Sequence, residues 1–204
     1  MIDLNKKITI AIDVMGGDNA PHATLMGAEA ALKKCPHINF LLYGNEKRIS
    51  PIRSNLPKLQ LSSQIIHTEF FISSDEKPSV ALRKGRDSSM RLAIDAVSND
   101  KAQAVVSAGN TGALMAISKL VLRPIPGIDR PAIASIFPNR KGRSVFLDLG
   151  ANIDCNSENL VQFALMGDAF AKVLLNIKSP KIGLLNVGSE DTKGSETVKP
   201  PQRS

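Results

Sequence analysis

Residues 8–19 read ITIAIDVMGGDN, an apolar, β-branched run that ends in a turn of glycine and aspartate. The run is typical of a strand buried on both faces of a parallel sheet. Residues 104–112, AVVSAGNTG, show the same order, and a segment with helical periodicity follows them. A strand, a glycine-rich turn and a helix form the repeating unit of an open α/β sheet. The two segments therefore predict an α/β fold.

The rest of the chain alternates in the same way between short apolar segments and helical patterns. Predicted strands cover residues 8–14, 38–43, 64–69, 104–107, 132–138, 145–149 and 182–187. Predicted helices cover residues 23–34, 46–55, 78–99 with a break near Gly85, 111–122 and 157–176. This order predicts a mostly parallel sheet with helices packed against it.

Composition limits the classes of protein that fit. The chain has 204 residues and a net charge of +7, and no apolar run approaches the roughly 18 residues that span a bilayer. The first residues lack the features of a signal peptide. Cys35 and Cys155 form no disulfide framework, so we expect a reducing, cytoplasmic environment.

The positive charge leaves three interpretations open. Aromatic residues make up 4% of the chain with one Tyr, and no nucleic-acid motif occurs, so we expect no nucleic-acid partner. The positive residues are then ordinary solvated surface charge, a docking face for an acidic protein, or a docking face for an anionic bilayer surface.

Four segments rich in Gly, Asn and Asp directly follow predicted strands. They are residues 13–19, 107–112, 148–154 and 186–194. Because the carboxyl ends of parallel strands lie at one edge of a sheet, we expect these segments to converge around a ligand.

Residues 107–112 give the most interpretable prediction, an anion site on backbone N–H groups at a helix start. The predicted phosphate-binding residues are Gly109, Asn110, Thr111 and Gly112. The alternative is a tight turn in which Asn110 or Thr111 caps the helix. Lys193 is either a group that neutralises a phosphate or oxyanion, or an exposed loop lysine.

Six residues of the first and third of these segments are assigned to the wall of the cleft. The wall residues are Asp13, Gly16, Gly17, Asp18, Asp148 and Asn152. Asp13 and Asp18 flank the two glycines, where they either order the loop or hold a cation, and we favour ordering. No metal-binding spacing, dinucleotide fingerprint or P-loop signature is present, so no metal or cofactor is predicted.

Seven segments in order resemble the phosphate acyltransferase family of bacterial phospholipid synthesis, PlsX. They are IAIDVMGGDNAP (10–21), KPSVALRKGRDSSMRLAI (77–94), SAGNTGALMA (107–116), GIDRPAIA (127–134), LDLGANIDC (147–155), QFALMGDAFA (162–171) and GLLNVGSEDTKG (183–194). The resemblance implies a three-layer α/β/α sandwich related to the isocitrate and isopropylmalate dehydrogenases.

The implied activity is transfer of a fatty acyl group from acyl carrier protein to inorganic phosphate, which yields an acyl phosphate. Phosphate is then the nucleophile, and Lys193 and Asn110 are the expected catalytic residues. The resemblance also implies a homodimer that associates peripherally with the membrane surface or with a membrane glycerol-phosphate acyltransferase. Candidate residues for docking the acidic carrier protein are Arg83, Lys84, Arg86 and Arg123.

The resemblance stops near residue 194, and family members are longer. We therefore expect residues 1–194 to be the N-terminal part of one acyltransferase domain, with a divergent tail at 195–204 from a C-terminal truncation that leaves the chain poorly active. One alternative is a non-catalytic remnant that binds only an anion or the carrier protein. The other is a nicotinamide-dependent dehydrogenase of the related fold.

Overall fold

A computed structural model describes residues 7–152, 154–186 and 188. The chain divides into two compact units, the first ending at Arg123 and the second beginning at Pro124. In the part of the chain that the structure describes, no helix is both long enough and apolar enough to cross a membrane.

The first unit is a parallel α/β sheet. Its elements are β1 (Ile8–Asp13), α1 (His22–Lys34), β2 (Ile38–Gly44), α2 (Glu46–Arg53), α3 (Pro57–Leu61), β3 (Ser63–His67), α4 (Pro78–Lys84), α5 (Ser89–Ser98), β4 (Ala104–Ser107) and α6 (Thr111–Leu122). The strands are all parallel and lie in the order β3-β2-β1-β4. The last residue of β1, Asp13, is in register with Tyr43 on one side and Ser107 on the other.

Helices cover both faces of this sheet, which gives three layers. On one face Ile12 and Leu42 pack with Leu25 of α1 and with residues of α2 and α3. On the other face Ala11 packs with Ala93 of α5. Successive residues of a strand point to opposite faces, so Ala11 and Ile12 serve different layers. The predicted α/β/α architecture is confirmed.

The second unit differs from the sequence prediction in strand direction. Its elements are β5 (Ala134–Asn139), β6 (Gly142–Leu147) and α7 (Ser157–Leu174). The two strands pair antiparallel, so the prediction that they belong to a parallel series is wrong. A connection of only two residues, 140 and 141, cannot carry a chain back to the start of a parallel neighbour.

Other differences are local. The break near Gly85 is confirmed, since α4 ends at Lys84 and α5 begins at Ser89. The short helix α3 was not predicted. Of the strand predicted at 182–187, residues 182–186 show no regular secondary structure, because no strand pairs with them among the described residues. One domain over residues 1–194 stays a prediction.

Candidate functional site

The loops that follow β1 and β4 touch through their glycines. A Cβ atom added to Gly16 would lie 2.8 Å from the amide nitrogen and 3.0 Å from the Cα of Gly109. Gly17 has φ +101°, and a Cβ there would lie 3.0 Å from the carbonyl oxygen of Ala108. Neither loop has room for a side chain at these points. The structure therefore brings together the first two of the four predicted segments.

Asp13 ties these loops to a helix. Its carboxyl is buried at 2% exposure, Ser89 Oγ at the start of α5 donates to Oδ1 at 2.6 Å, and Ser107 Oγ at the end of β4 donates to Oδ2 at 2.7 Å. Ser107 Oγ in turn accepts from the amide of Gly109 at 3.0 Å. Three segments distant in sequence are thus held by one carboxylate, which supports the loop-ordering interpretation of Asp13.

Burial raises the pKa of the Asp13 carboxyl above its ordinary value. The hydrogen bonds from Ser89 and Ser107, and those from the amides of Met15 and Gly16, oppose this shift without cancelling it. A buried carboxylate loses its hydration, and the four donors restore only part of that loss. Asp13 is enclosed, and its hydrogen bonds hold the loops around it.

Asn110 uses its whole side chain for protein contacts. Its Oδ1 caps α6 by accepting from the amide of Ala113 at 2.9 Å. Its Nδ2 donates to the carbonyls of Ser74 at 2.9 Å and Glu76 at 2.8 Å, with Ser73 more distant at 3.4 Å. The capping alternative that the sequence left open is the geometry observed. Asn110 also fixes the loop at residues 73–76 beside the start of α6.

The first turn of α6 faces solvent at Thr111 and Gly112. The first amides of a helix lack intrahelical acceptors and carry the positive end of the helix dipole, so this turn suits an anion. A Cβ on Gly112 would lie 2.8 Å from Pro78 Cγ at the start of α4. The absence of a side chain at Gly112 therefore permits α4 to approach the turn closely.

In the second unit, Asp148 organises the loop that follows β6. Its Oδ1 accepts from the amides of Ile133 at 2.9 Å and Ala151 at 3.2 Å, and its Oδ2 accepts from the amide and the Nδ2 of Asn152 at 2.8 and 3.0 Å. Partial burial favours a higher pKa, but these hydrogen bonds together hold the pKa of Asp148 below its ordinary value. Asn152 Nδ2 also donates to the carbonyl of Pro131 at 3.0 Å.

Sequence reasoning missed a second clamp in this unit. Gln162 of α7 is buried, its Oε1 accepts from the amide of Asp129 at 2.9 Å, and its Nε2 donates to Asp129 Oδ2 at 2.8 Å. Asp129 and Gln162 are 33 residues apart, and both lie in segments quoted for the family resemblance, GIDRPAIA and QFALMGDAFA. Membership in these two segments is the one sequence feature that the two residues share, and it does not indicate that they touch.

The remaining predicted residues lie at the surface or outside the described residues. Arg83 and Lys84 occupy the last turn of α4, Arg86 follows that helix, and Arg123 directly follows α6. All four are exposed. Asp18 is exposed in the turn before α1. Lys193 lies outside the described residues.

Two solved structures have folds similar to that of this chain. A phosphotransacetylase from Streptococcus pyogenes matches 85% of this chain and 57% of its own length, with a TM-score of 0.62 and 19% identity. The EutD phosphotransacetylase from Staphylococcus aureus matches 82% of this chain and 53% of its own length, with a TM-score of 0.59 and 15% identity. At these identities the likeness concerns the fold alone.

Sequence comparison is more specific. Proteins named Phosphate acyltransferase from Rhodospirillum centenum and Paramagnetospirillum magneticum are each 53% identical over 196 residues, which is 96% of this chain. The match covers 55% and 56% of those proteins, so the chain spans about half the length of the curated relatives it matches. The family model described as Fatty acid synthesis protein matches residues 8–203. The chain therefore belongs to that family, and the resemblance to the phosphate acyltransferases is confirmed.

Proposed function

We propose that the chain serves acyl transfer to inorganic phosphate, and that the phosphate binds at the first turn of α6. The observation that carries the proposal is the close backbone contact between Gly16 and Gly109, which packs the loop after β1 against the loop that leads into the exposed first turn of α6. The names of the relatives at 53% identity support the reaction. They give no such support to a nicotinamide-dependent dehydrogenase.

The proposed chemistry needs no side-chain nucleophile. A phosphate oxygen attacks the thioester carbonyl carbon, a tetrahedral oxyanion forms, and the C–S bond breaks. The thiolate leaves with the electron pair and takes the proton of hydrogen phosphate, so the products are an acyl phosphate and a free thiol. Holding the dianion in place and neutralising charge are what such a site contributes.

We assign the residues accordingly. Thr111 and Gly112 hold the phosphate through their amides, while Gly109 lets the neighbouring loop approach. Asn110 positions the start of α6 and the loop at residues 73–76, because the oxygen and the nitrogen of its side chain both have protein partners. Lys193 is the proposed catalytic residue that neutralises charge. The remaining wall residues, Asp13, Gly16, Gly17, Asp18, Asp148 and Asn152, shape their loops.

The acyl donor, the assembly and the location belong to the same proposal. A net charge of +7 suits docking to an acidic acyl carrier protein, and the exposed residues Arg83, Lys84, Arg86 and Arg123 are the proposed contacts. We propose a role in phospholipid synthesis at the cytoplasmic membrane surface, with a homodimer and a membrane glycerol-phosphate acyltransferase as partners.

The test is phosphate-dependent cleavage of a long-chain acyl carrier protein by the chain. Because the chain is expected to be poorly active, we expect free carrier thiol to appear slowly and only with phosphate, and hydroxylamine to trap the acyl phosphate. Gly109→Ala should lower the rate about tenfold or more, because a misplaced loop misaligns the phosphate. Gly27→Ala is the matched control, since a Cβ there meets nothing within 4 Å.

Phosphate binding, followed by calorimetry, separates the possible failures. Binding that Gly109→Ala weakens, without any cleavage of the thioester, would favour the non-catalytic anion-binding alternative. Cleavage that does not depend on phosphate, or phosphate binding that Gly109→Ala leaves unchanged, would overturn the assignment of the site.

A further inference from the structure

Two neighbouring serines at the start of α5, Ser88 and Ser89, are equally buried but bind different partners. Each is 1% exposed. Ser88 caps the helix, because its Oγ accepts from the amide of Arg91 at 3.2 Å, and it donates to the carbonyl of Gly85 at 2.6 Å. Ser89 Oγ instead donates outside the helix, to Oδ1 of Asp13, 76 residues earlier in the chain. The hydroxyl of Ser89 is therefore not used to cap α5.

The backbone around Ser89 is held by the segment that follows β3. The amide of Ser89 donates to the carbonyl of Phe70 at 3.0 Å. Thr68 is buried, and its Oγ1 donates to the carbonyl of Asp87 at 2.6 Å. Because these contacts hold residues 87 and 89, the hydroxyl of Ser89 reaches Asp13 from a fixed position.

Asp13 connects this fixed position to the turn at residues 107–109. Its Oδ2 accepts from Ser107 Oγ at 2.7 Å, and Ser107 Oγ accepts from the amide of Gly109 at 3.0 Å. A serine hydroxyl has one hydrogen and two lone pairs, so the hydrogen that Ser107 donates to the carboxylate leaves a lone pair for Gly109. The direction of the Ser107 hydroxyl, and with it the acceptor for the Gly109 amide, therefore depends on where Oδ2 of Asp13 lies.

Ser89 is the main donor that compensates the burial of Asp13. Burial raises the pKa of Asp13, and of the four hydrogen bonds that oppose this rise, the one from Ser89 contributes most. A buried carboxylate that loses a donor either turns towards another donor or takes up a proton. Either change disturbs the hydrogen bond between Oδ2 and Ser107. We therefore expect loss of the Ser89 hydroxyl to be felt at Gly109.

We propose that Ser89 is a positioning residue of the phosphate site. It holds Asp13, Asp13 orients Ser107, and Ser107 fixes the turn that leads into the first turn of α6. The inference rests on the proposed function for the ligand, inorganic phosphate, and on the hydrogen bonds for the positioning. Ser89 acts on the phosphate only through Asp13 and Ser107.

The experiment compares Ser89→Ala with Ser88→Ala, which removes the neighbouring hydroxyl at the same burial. Inorganic phosphate is titrated into each variant by calorimetry, and hydrogen exchange of the Gly109 amide is followed by nuclear magnetic resonance. Ser89→Ala should weaken phosphate binding about five- to tenfold and speed exchange at Gly109 by a similar factor. Ser88→Ala should leave both at the wild-type value, although it lowers the urea midpoint because α5 loses its cap.

A second pair of variants separates positioning from a general loss of stability. Ser107→Ala breaks the link between Asp13 and Gly109 and leaves the hydrogen bond from Ser89 to Asp13 in place. In that background Ser89→Ala should change phosphate affinity by less than about twofold, whereas two independent structural losses would add. The effect of Ser89 on phosphate should thus disappear once Ser107 no longer transmits it.

Three results would overturn the proposal. They are an unchanged exchange rate at Gly109 in Ser89→Ala, an equal weakening of phosphate binding in Ser88→Ala, and a full effect of Ser89→Ala in the Ser107→Ala background. If the wild type binds no phosphate, the proposed function fails. Exchange at Gly109 then still decides whether Ser89 holds the turn, because that measurement needs no ligand.

Discussion

Gly16 and Gly109 are packed backbone to backbone, so closely that a methyl group on Gly16 would lie 2.8 Å from the amide nitrogen of Gly109. The same methyl group would lie 2.5 Å from Oδ2 of Asp13. The amide nitrogen belongs to the backbone, and Oδ2 of Asp13 is held by the hydrogen bond from Ser107. The contact thus couples the shape of one loop to the shape of the other.

Gly16→Ala should lower the free energy of unfolding by about 1–3 kcal/mol, because the added methyl group forces the two loops apart. Urea denaturation followed by circular dichroism measures the change. Gly27→Ala, in the open interior of α1, should instead raise stability by about 0.5–1 kcal/mol. An unchanged midpoint for Gly16→Ala would show that the loops do not meet.

Asp13→Ala should cost about 3 kcal/mol of unfolding free energy, because the hydroxyls of Ser89 and Ser107 lose their acceptor in a buried position. The measurement is again denaturant unfolding. Asp18→Ala in the same loop removes an exposed carboxylate and should change stability by no more than about 0.5 kcal/mol. Equal losses of unfolding free energy in the two variants would contradict the role of Asp13 as the acceptor that joins Ser89 and Ser107.

The raised pKa of Asp13 predicts a pH dependence of known sign. A carboxyl whose pKa is higher in the fold than in the unfolded chain stabilises the fold below about pH 4 and loses that contribution as the pH rises through its folded pKa. The stability of the wild type relative to Asp13→Asn should therefore fall as the pH rises. A difference that stays constant, or that grows with pH, would contradict burial of the charge.

Asp148 should show the opposite dependence, because hydrogen bonds lower its pKa in the fold. Its contribution is present above about pH 4 and is lost as the pH falls through the folded pKa. Unfolding of the wild type and of Asp148→Asn, compared across this range, should show the advantage of the wild type shrinking in acid. An advantage of the wild type that stays constant or grows in acid would contradict the role of these hydrogen bonds.

Asn110→Asp should separate the helix-capping contact of Asn110 from its contacts with the loop at residues 73–76. The carboxylate still caps α6 through the amide of Ala113, but it repels the carbonyls of Ser74 and Glu76 that the amide group binds. We expect faster hydrogen exchange in residues 73–76 and little change in α6. Asn110→Ala should speed exchange in both. If hydrogen exchange in residues 73–76 stays as slow as in the wild type in both variants, Asn110 does not hold that loop.

The sequence was informative where the fold follows local rules. Asp13 and Ser107 both end parallel strands, so their meeting follows from strand direction once the α/β pattern is recognised. The antiparallel pairing of β5 and β6 is accessible from the sequence too, since only six residues separate the predicted strands at 132–138 and 145–149, too few for a crossover to a parallel neighbour. Apolar composition alone does not distinguish strand direction, and that signal was overlooked.

The side-chain clamps were beyond sequence reasoning. Asn110 binds carbonyls 34 to 37 residues earlier in the chain, and the cap it forms gives no sign of them. Ser89 looks like an ordinary helix start until the fold brings it to Asp13, 76 residues away. Such contacts depend on tertiary packing, which the periodicity of apolar residues in the sequence does not indicate.

The strand order β3-β2-β1-β4 has a consequence for how the chain forms. The neighbour of β1 on one side, β2, ends at Gly44, whereas its neighbour on the other side, β4, ends only at Ser107. During synthesis the carboxylate of Asp13 therefore stays hydrated until β4 pairs with β1. Ser107 of β4 then replaces a water molecule as a hydrogen-bond donor to that carboxylate. Pairing over so long a separation is slow, and until β4 pairs, the open edge of β1 is available to other strands.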